Sequence, residues 1–325
     1  MRANIIRIHE TGGAEVLRWE TAEIGEPGPG EVRLKQTAIG VNFTDTYNRS
    51  GLYKNQLPII LGFEGAGLVD AVGPEVAIVR PGDRVAYAGP PIGAYADVRL
   101  YPADRLVPLP HWIADEIAAA SLLRGMTVEY LLLRTYPVKR GETILVHAAA
   151  GALGLMLCQW AAAIGAHVVA TVGSADKVAV AEANGAEHVL VTSDPNWPAK
   201  VRDITDGAGV PVVYDSVGKD TFDGSLASLA LRGLLVSYGS ASGPVPPVAL
   251  STLNDRGSLY VTRAKLWDYI HTRQELMESA ATYFETIRDG IVKPAVAHRF
   301  ALKDAAEAHR LLESRQAKGS IILLP

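Results

Sequence analysis

The sequence predicts an α/β protein in which a β-rich domain precedes a doubly wound parallel sheet. Two observations support this fold class. Over roughly the first 123 residues, short β-like segments are broken by Gly and Pro, whereas between residues 127 and 261 apolar β-branched segments alternate with helical patterns. Parallel strands that are buried on both faces have near-continuous apolar sequences of this kind. The 325-residue chain is long enough for two such domains.

The first part of the chain carries turn signals between its strand candidates. Residues 31–41 alternate between polar and apolar side chains, and residues 65–72 form an apolar segment that ends at Gly73 and Pro74. A turn signal at residues 81–83 precedes a further segment at 84–87. Many short strands with such connections indicate an irregular β-rich domain, either a sandwich or barrel-like.

The second part predicts six buried strands. They cover residues 143–148, 167–172, 188–192, 212–217, 234–238 and 258–261. The segments between them place apolar residues three and four positions apart, which is typical of helices; these are residues 153–164, 176–184, 200–205 and 221–231. Six strands that alternate with helices predict a doubly wound sheet.

The last 60 residues return to a mixed pattern and are too short for a third domain. We expect a helix at 273–288, a strand at 296–300, a helix at 303–314 and a strand at 320–324. These elements are expected to complete the first domain. The predicted domains are therefore 1–125 together with 265–325, and 126–264.

Composition excludes several classes of function. Hydrophobic residues make up 48% and charged residues 20%, the formal net charge is −4, and no block of like charges occurs, so neither a nucleic-acid nor a membrane partner is indicated. Cys158 is the one cysteine, which excludes an intramolecular disulfide and a thiolate zinc cluster. It lies on the apolar face of a predicted helix, where a buried, inert thiol is expected. With no apolar signal core near Met1, we expect a cytoplasmic protein.

The first predicted strand of the sheet leads into a glycine turn. Residues 147–154 read HAAAGALG, a degenerate form of the dinucleotide fingerprint G-x-G-x-x-G in which Ala149 replaces the first glycine. Gly151 allows the backbone to approach a pyrophosphate, and Gly154 allows the helix to pack closely on the strand. The amide groups of residues 150–154 (Ala150, Gly151, Ala152, Leu153 and Gly154) then face the phosphate. The alternative is a turn with a purely structural role.

The end of the second strand indicates NADPH rather than NADH. NAD-binding proteins place an acidic residue there to hold the ribose 2′-hydroxyl, but this chain has Gly173 and Ser174, with Lys177 just beyond. A hydroxyl and an ammonium group suit a 2′-phosphate. Alternatively, Ser174 caps the next helix and Lys177 is a solvated surface residue.

Several motifs, in order along nearly the whole chain, resemble the quinone oxidoreductases. The matching segments are VNFTDTY (41–47), LGFEGAG (61–67), PGDRV (81–85), VYDSVG (213–218), SYGSASG (237–243) and GSLYVTR (257–263). This family includes zeta-crystallin and the bacterial NADPH:quinone reductases and belongs to the medium-chain dehydrogenase/reductase superfamily. The resemblance implies a GroES-like catalytic domain, a Rossmann cofactor domain and a homodimer, for which the strand at 258–261 is a candidate interface.

The resemblance also implies a zinc-independent enzyme. Zinc alcohol dehydrogenases of the superfamily use a cysteine and a histidine as catalytic ligands. By the resemblance, Asn42 and Phe63 stand at the corresponding positions of this chain. Neither side chain is a zinc ligand of that kind. We therefore expect no metal.

By resemblance, a quinone-reductase site is expected from residues in both domains. The implied catalytic residues are Asn42, Asp45, Tyr47, Tyr53 and Arg263. The implied cofactor-binding residues, beyond the glycine turn, are Asn42, Thr127, Gly173, Ser174, Lys177, Thr192, Ser216, Tyr238, Gly239, Ser240, Arg315 and Lys318. Each has an ordinary alternative.

Those alternatives are packing on the β-rich domain for Tyr47 and Tyr53, a helix cap for Thr127 and a surface ion pair for Arg263. Arg315 and Lys318 also suit the end of a helix, where basic residues are favoured.

Two departures from the family bear on cofactor selectivity. Gly151 is followed by Ala152 where relatives often carry a second glycine. Thr192 stands where relatives often have a tyrosine beside the 2′-phosphate, so selectivity for NADPH is expected to be weaker than is usual in the family.

The implied reaction is hydride transfer from NADPH to a quinone. The nearest alternative is reduction of the carbon–carbon double bond of an enone or alkenal on the same scaffold. A non-enzymatic binding protein is a more remote alternative, because zeta-crystallin relatives include lens proteins and RNA binders. The net charge of −4 and the absence of a basic stripe argue against RNA.

Overall fold

The computed structural model describes residues 1–314, 316–317 and 319–325, and its strands and helices follow the predicted order closely. The strands are β1 (Arg2–Ile8), β2 (Arg18–Glu23), β3 (Glu31–Val41), β4 (Ile59–Ile60), β5 (Glu64–Val72), β6 (Arg84–Ala88), β7 (Val98–Pro102), β8 (Val107–Pro108), β9 (Thr143–Val146), β10 (His167–Val172), β11 (His188–Val191), β12 (Val210–Asp215), β13 (Leu229–Ser237), β14 (Tyr260–Arg263), β15 (Val296–Ala301) and β16 (Ser320–Leu324).

Helices connect and cover these strands. They are α1 (Phe43–Ser50), α2 (Asp115–Tyr130), α3 (Ala152–Ile164), α4 (Val178–Glu182), α5 (Trp197–Ile204), α6 (Phe222–Ser228), α7 (Leu250–Asp255), α8 (Leu266–Tyr269), α9 (Arg273–Arg288) and α10 (Ala305–Glu313). Helix α2 continues into a π-helical turn at Leu131–Thr135.

The first of two units comprises residues 1–123, 270–281 and 294–325. Within the described residues, a seven-stranded sheet has the order β15-β16-β3-β5-β6-β8, with β7 also paired to β3, and a three-stranded sheet has the order β2-β1-β4. The long strand β3 is central, since it pairs with β16, β5 and β7. The chain therefore enters α1 directly from a strand fixed by three neighbours.

The second unit comprises residues 124–269 and 282–293. Among the described residues its sheet has six parallel strands in the order β11-β10-β9-β12-β13-β14. Apolar residues of the inner strands, such as Leu145, Val169 and Val213, pack with Trp197 and Phe222 from the helices. The prediction of a doubly wound parallel sheet is confirmed. Successive strands are added on one side of β9 up to β11 and on its other side from β12 onward. Ligands of such sheets bind at the point where the strand order reverses, beside β9 and β12.

One predicted helix extends too far. The pattern at 221–231 predicts a helix to its last residue, but α6 ends at Ser228 and Leu229 begins β13. Leu229 pairs with Val210 of β12, with a register shift before the next pairs. The pairing with a neighbouring strand outweighs the helical spacing of these residues.

In the part of the chain that the structure describes, no helix combines the length and hydrophobicity needed to cross a bilayer.

Candidate active site and cofactor site

Asn42 forms the junction between β3 and α1, and its side chain has a fixed orientation. It is the N-cap residue of α1, in an extended conformation (φ −128°, ψ 156°). Its backbone N–H donates to Asp45 Oδ2 (2.8 Å), and its side-chain Nδ2 donates to Glu64 Oε2 (2.9 Å). Asn42 is only 5% exposed. Asp45 therefore acts as a capping residue of the helix, and Glu64 orients the Asn42 carboxamide.

Glu64 is a buried carboxylate that sequence reasoning missed. It begins β5, is 0% exposed, and accepts a hydrogen bond from the backbone N–H of Leu123 (2.6 Å) in addition to that from Asn42. A buried carboxylate is costly unless donors surround it. The sequence signal that could have identified Glu64 is an acidic residue within the otherwise apolar segment LGFEGAG.

Tyr47 and Tyr53 lie beside each other at α1. Their rings meet edge to face, with centroids 5.4 Å apart, and Phe43 approaches Tyr47 from the preceding turn (6.3 Å). Tyr53 is 41% exposed and Tyr47 is half-buried. Packing against each other thus accounts for only part of their surface, and the aromatic pair keeps a face that a flat ligand can contact.

The glycine turn has the geometry of an anion-binding loop. Gly151 is the N-cap of α3, and its extended backbone (φ −77°, ψ 162°) is accessible to any residue. A Cβ on Gly151 would meet only the Ala148 carbonyl oxygen, at 3.2 Å, whereas one on Gly154 would overlap that oxygen and lie 2.7 Å from the Ala149 Cα. The fold therefore requires glycine at 154, whereas at 151 a methyl group would need only a small shift of the Ala148 carbonyl group. Close approach by a ligand explains Gly151.

The end of β10 also leaves space beside the backbone for a ligand. A Cβ on Gly173 would have no atom within 4 Å, and Gly173 is exposed. Ser174 precedes a short 3-10 helix at Ala175–Lys177, but its hydroxyl makes no cap hydrogen bond. Lys177 and Thr192 are half-buried, and the Thr192 hydroxyl donates to the Val172 carbonyl oxygen (3.3 Å). The structure thus brings these four residues to one edge of the sheet.

The loops after β12 and β13 are joined by hydrogen bonds. The Tyr238 N–H donates to the Asp215 carbonyl oxygen (2.9 Å), and the Ala241 N–H donates to that of Ser216 (3.2 Å). A Cβ on Gly239 would overlap the Ser216 backbone. Ser216, Tyr238, Gly239 and Ser240 therefore form one surface at the carboxyl ends of the strands.

Arg263, at the end of β14, braces this surface. Its guanidinium donates to the Ser237 hydroxyl (3.1 Å), the Gly239 carbonyl oxygen (2.6 Å) and the Ser240 hydroxyl (3.2 Å). Three hydrogen bonds to neighbouring strand ends hold the loop in place.

A buried histidine at the start of the glycine turn, whose role was not predicted from the sequence, joins the turn to neighbouring elements by hydrogen bonds. His147 Nδ1 accepts from the Thr171 hydroxyl (2.7 Å), and His147 Nε2 donates to the Ser225 hydroxyl (2.9 Å), which in turn bonds Asp215 Oδ2 (3.0 Å). Burial lowers the pKa of His147, so the ring is neutral, as this bonding requires. Thus the ends of β9, β10 and β12 are tied together.

The remaining predicted residues have different outcomes. Thr127 lies inside α2, so the alternative that it caps a helix is wrong. Arg315 and Lys318 lie outside the described residues. Cys158 is buried in α3, and burial raises the pKa of its thiol to about 12, which makes it a poor nucleophile.

The positions of the superfamily's zinc ligands hold other chemistry. Asn42 uses its carboxamide to bond Glu64, and Phe63 has no donor atom. Over residues 1–314, 316–317 and 319–325, no group of three or more His, Cys, Asp or Glu side chains is arranged to hold a metal ion.

Two family models match the chain. The alcohol dehydrogenase GroES-like domain matches residues 28–111, and the zinc-binding dehydrogenase domain matches residues 152–281. The matches support the prediction of a GroES-like domain followed by a Rossmann domain.

Proteins of known activity match over nearly the full length. A quinone oxidoreductase from Pseudomonas aeruginosa is 49% identical over 324 residues, which cover 99% of this chain and 100% of that protein. A 2-haloacrylate reductase from Burkholderia sp. is 44% identical over 325 residues, which cover 98% of this chain and 98% of that protein.

A solved structure has nearly the same fold. The Escherichia coli quinone oxidoreductase complexed with NADPH superposes with a TM-score of 0.97 at 47% identity, over 99% of this chain and 100% of that one.

Proposed function

The chain belongs to the quinone oxidoreductase family of the medium-chain dehydrogenase/reductase superfamily, and on this premise we propose that it catalyses the NADPH-dependent reduction of quinones. The observation that carries the proposal is the glycine turn. The backbone conformation of Gly151 does not require glycine, an added Cβ would make one close contact inside the protein, and Gly151 stands at the N-terminus of a buried helix. A dinucleotide phosphate needs both features.

We propose that three groups of residues bind different parts of the cofactor. The amides of the glycine turn (Ala150, Gly151, Ala152, Leu153 and Gly154) bind the pyrophosphate. The residues at the end of β10 and β11 (Gly173, Ser174, Lys177 and Thr192) bind the 2′-phosphate, with the positive charge from Lys177. Asn42, Thr127, Ser216, Tyr238, Gly239 and Ser240 bind the nicotinamide half, and Arg315 and Lys318 remain proposed phosphate contacts. When bound, NADPH supplies a hydride to the acceptor.

The first unit supplies the acceptor-binding groups. We propose that the Tyr47 and Tyr53 rings contact the flat quinone and that a tyrosine hydroxyl donates a hydrogen bond to a quinone oxygen. Asn42 stands at the start of the same helix and completes the polar side of this surface, and the fully buried Asp45 holds Asn42 through its backbone N–H (2.8 Å). Reduction of a quinone to a hydroquinone takes up two electrons with one hydrogen as hydride, and then one proton from water. A hydroxyl that donates to the quinone oxygen would stabilise the negative charge that develops there before the proton is taken up.

Arg263 is proposed to act through the loop that it braces. Its guanidinium donates hydrogen bonds to Ser237, Gly239 and Ser240. We assign it as a positioning residue for the backbone of residues 238–240.

A second candidate activity is the reduction of an activated carbon–carbon double bond. The 44% identity to a 2-haloacrylate reductase favours it, because that reaction also delivers a hydride to a conjugated acceptor. The same aromatic surface then orients an alkene instead of a quinone ring.

A panel of acceptors separates the two activities. With NADPH held constant, initial rates are measured with 9,10-phenanthrenequinone, 2-chloroacrylate and a linear alkenal. We expect turnover of the quinone to exceed that of both alkenes. Turnover of an alkene without turnover of the quinone would replace quinone reduction by double-bond reduction as the proposed function.

We further propose that the protein is a homodimer that forms along β14. This strand is the edge of the six-stranded sheet in the described residues, and it exposes Tyr260 (61%) and Val261 (40%). An exposed apolar edge strand pairs readily with another strand. The cytoplasm is the proposed location, since Cys158 is a free thiol.

Val261→Lys is expected to convert the dimer to a monomer, because a lysine on an edge strand opposes strand pairing. Light scattering after size-exclusion chromatography measures the mass. Leu68→Lys is the matched control, since Leu68 is also 40% exposed on a strand but lies in the other sheet. A dimeric Val261→Lys variant, or a monomeric wild type, would contradict the proposed interface.

A further inference from the structure

A row of buried polar side chains links α10 to the start of α1. Arg49, Asp45, Tyr95 and His309 are between 0% and 2% exposed. Arg49 bonds His309 Nδ1 (3.0 Å), His309 Nε2 bonds the Tyr95 hydroxyl (2.8 Å), and that hydroxyl bonds Asp45 Oδ2 (3.0 Å). Asp45 and Arg49 lie one turn apart in α1, whereas Tyr95 and His309 come from distant parts of the chain, so the row is a product of the fold.

The direction of every hydrogen bond in this row is determined by its first member. A guanidinium only donates, so His309 Nδ1 must accept from Arg49 and the imidazole proton must lie on Nε2. His309 then donates to the Tyr95 oxygen, and the Tyr95 hydroxyl donates its one proton to Asp45. The row therefore exists in one arrangement, which requires a neutral histidine.

The surroundings of His309 keep it neutral. Burial and the adjacent Arg49 charge lower its pKa to about 3. Arg49 itself is held by a two-pronged ion pair with Glu313 of α10 (2.5 and 3.0 Å) and by the Gly12 carbonyl oxygen (3.1 Å). The Arg49 end of the row is thus anchored, and His309 stays neutral over the pH range in which enzymes usually work.

Asp45, at the end of the row, is the residue that fixes Asn42. The oxygen that accepts from Tyr95 also accepts from the Asn42 backbone N–H (2.8 Å). Asn42 in turn bonds Glu64 through its side chain. Any movement of the Asp45 carboxylate is therefore passed to the N-cap residue of α1.

We propose that Arg49, His309 and Tyr95 are positioning residues, which hold the Asp45 carboxylate and through it keep Asn42 in its reactive orientation. The inference rests on the proposed function, because it takes Asn42 to act in quinone reduction. A buried polar row contributes little net stability compared with apolar packing, but it restricts the site to one geometry. Small displacements of groups near the reacting atoms reduce rates strongly.

Tyr95→Phe tests the proposal, because it removes only the hydroxyl that joins His309 to Asp45. We expect kcat with 9,10-phenanthrenequinone to fall about tenfold while the KM for NADPH changes by less than about twofold, since orientation and not phosphate binding is lost. Tyr101→Phe is the matched control. Tyr101 is 1% exposed and its hydroxyl donates to the Gly89 and Pro90 carbonyl oxygens, away from the row.

The two variants are expected to lose similar thermal stability, and only Tyr95→Phe is expected to lose activity. Equal kcat values for the two variants would overturn the positioning role, because a purely structural contribution lowers the melting temperature without changing kcat in the folded enzyme.

His309→Gln and His309→Met provide a second test with side chains of equal length. A glutamine amide supplies one acceptor and one donor for the same two partners, so we expect kcat within about twofold of the wild type. Methionine has neither, and we expect a fall of about tenfold. Loss of activity in both variants, or in neither, would overturn the proposal.

Hydrogen exchange separates this proposal from the proposed function. Faster exchange in peptides covering residues 42–50 is expected for Tyr95→Phe and His309→Met but not for Tyr101→Phe. If the wild type reduced no quinone but the variants showed this exchange pattern, the proposed function would fail and the structural link to α1 would stand. If the wild type were active and exchange were unchanged, the positioning role would fail instead.

Discussion

Gly151→Ala is expected to weaken NADPH binding about thirtyfold, or roughly 2 kcal/mol, without unfolding the protein. The backbone of Gly151 is extended, and its new Cβ would meet one carbonyl oxygen at 3.2 Å, a contact that a shift of a few tenths of an ångström in the turn relieves. The methyl group would occupy the space through which, in the proposed cofactor site, the pyrophosphate approaches the amides of α3. Titration of NADPH fluorescence gives the dissociation constant, and thermal denaturation tests the fold.

Gly154→Ala separates the two roles of glycine in this turn. Its Cβ overlaps the Ala148 carbonyl oxygen, so α3 must move away from the turn, and both stability and NADPH binding are expected to fall. Gly25→Ala is the control, since a Cβ there would have no atom within 4 Å. Unchanged NADPH binding in Gly151→Ala would mean that the turn does not hold the cofactor's phosphates.

Gly40→Ala is expected to destabilise the protein by about 3 kcal/mol, the upper end of the usual cost of an overpacked core. Gly40 lies in β3, and a Cβ there would overlap the Ala119 carbonyl oxygen and approach Glu64 Oε2 to 2.5 Å. The first neighbour is backbone and the second is a carboxylate already bonded to Asn42, so neither yields easily. Urea denaturation measures the loss.

The same substitution is expected to lower kcat in the protein that remains folded, because displacement of the Glu64 carboxylate releases the Asn42 carboxamide. Gly25→Ala again serves as the reference. A Gly40→Ala variant with the stability and kcat of the wild type would show that the contact between β3 and Glu64 does not support the site.

The parallel sheet was predictable because each of its strands carries its own signal. Segments such as 143–146 and 167–172 are apolar on both faces and stand between helical patterns, so local sequence and final position agree. The glycine turn was predictable for the same reason, since its motif lies between a strand and a helix.

Helix α2 was not predicted. Many of its side chains, including Ala118, Ala119, Leu122 and Met126, are buried, and a helix buried on most of its surface lacks the contrast between apolar and polar faces on which a periodicity argument depends. Helix α1 was missed because Asn, Thr and Ser dominate a short segment in which the capping by Asp45 is the main local signal.

The support of the candidate site was the least predictable part. His309 lies 214 residues from Tyr95 and 260 from Arg49, and nothing near any of them indicates a partner. In sequence, His309 is one polar residue of an amphipathic helix, the usual signature of a surface position. Only the packing of α10 against the β-rich unit turns it into a buried hydrogen-bonding group.

The central claim is most directly tested by the oxidation of NADPH and, in parallel, of NADH with 9,10-phenanthrenequinone as the acceptor. We predict quinone-dependent oxidation with a kcat/KM for NADPH that exceeds that for NADH by about tenfold, or roughly 1.4 kcal/mol, owing to Ser174 and Lys177. Folded protein that oxidises neither cofactor in the presence of the quinone would contradict the account.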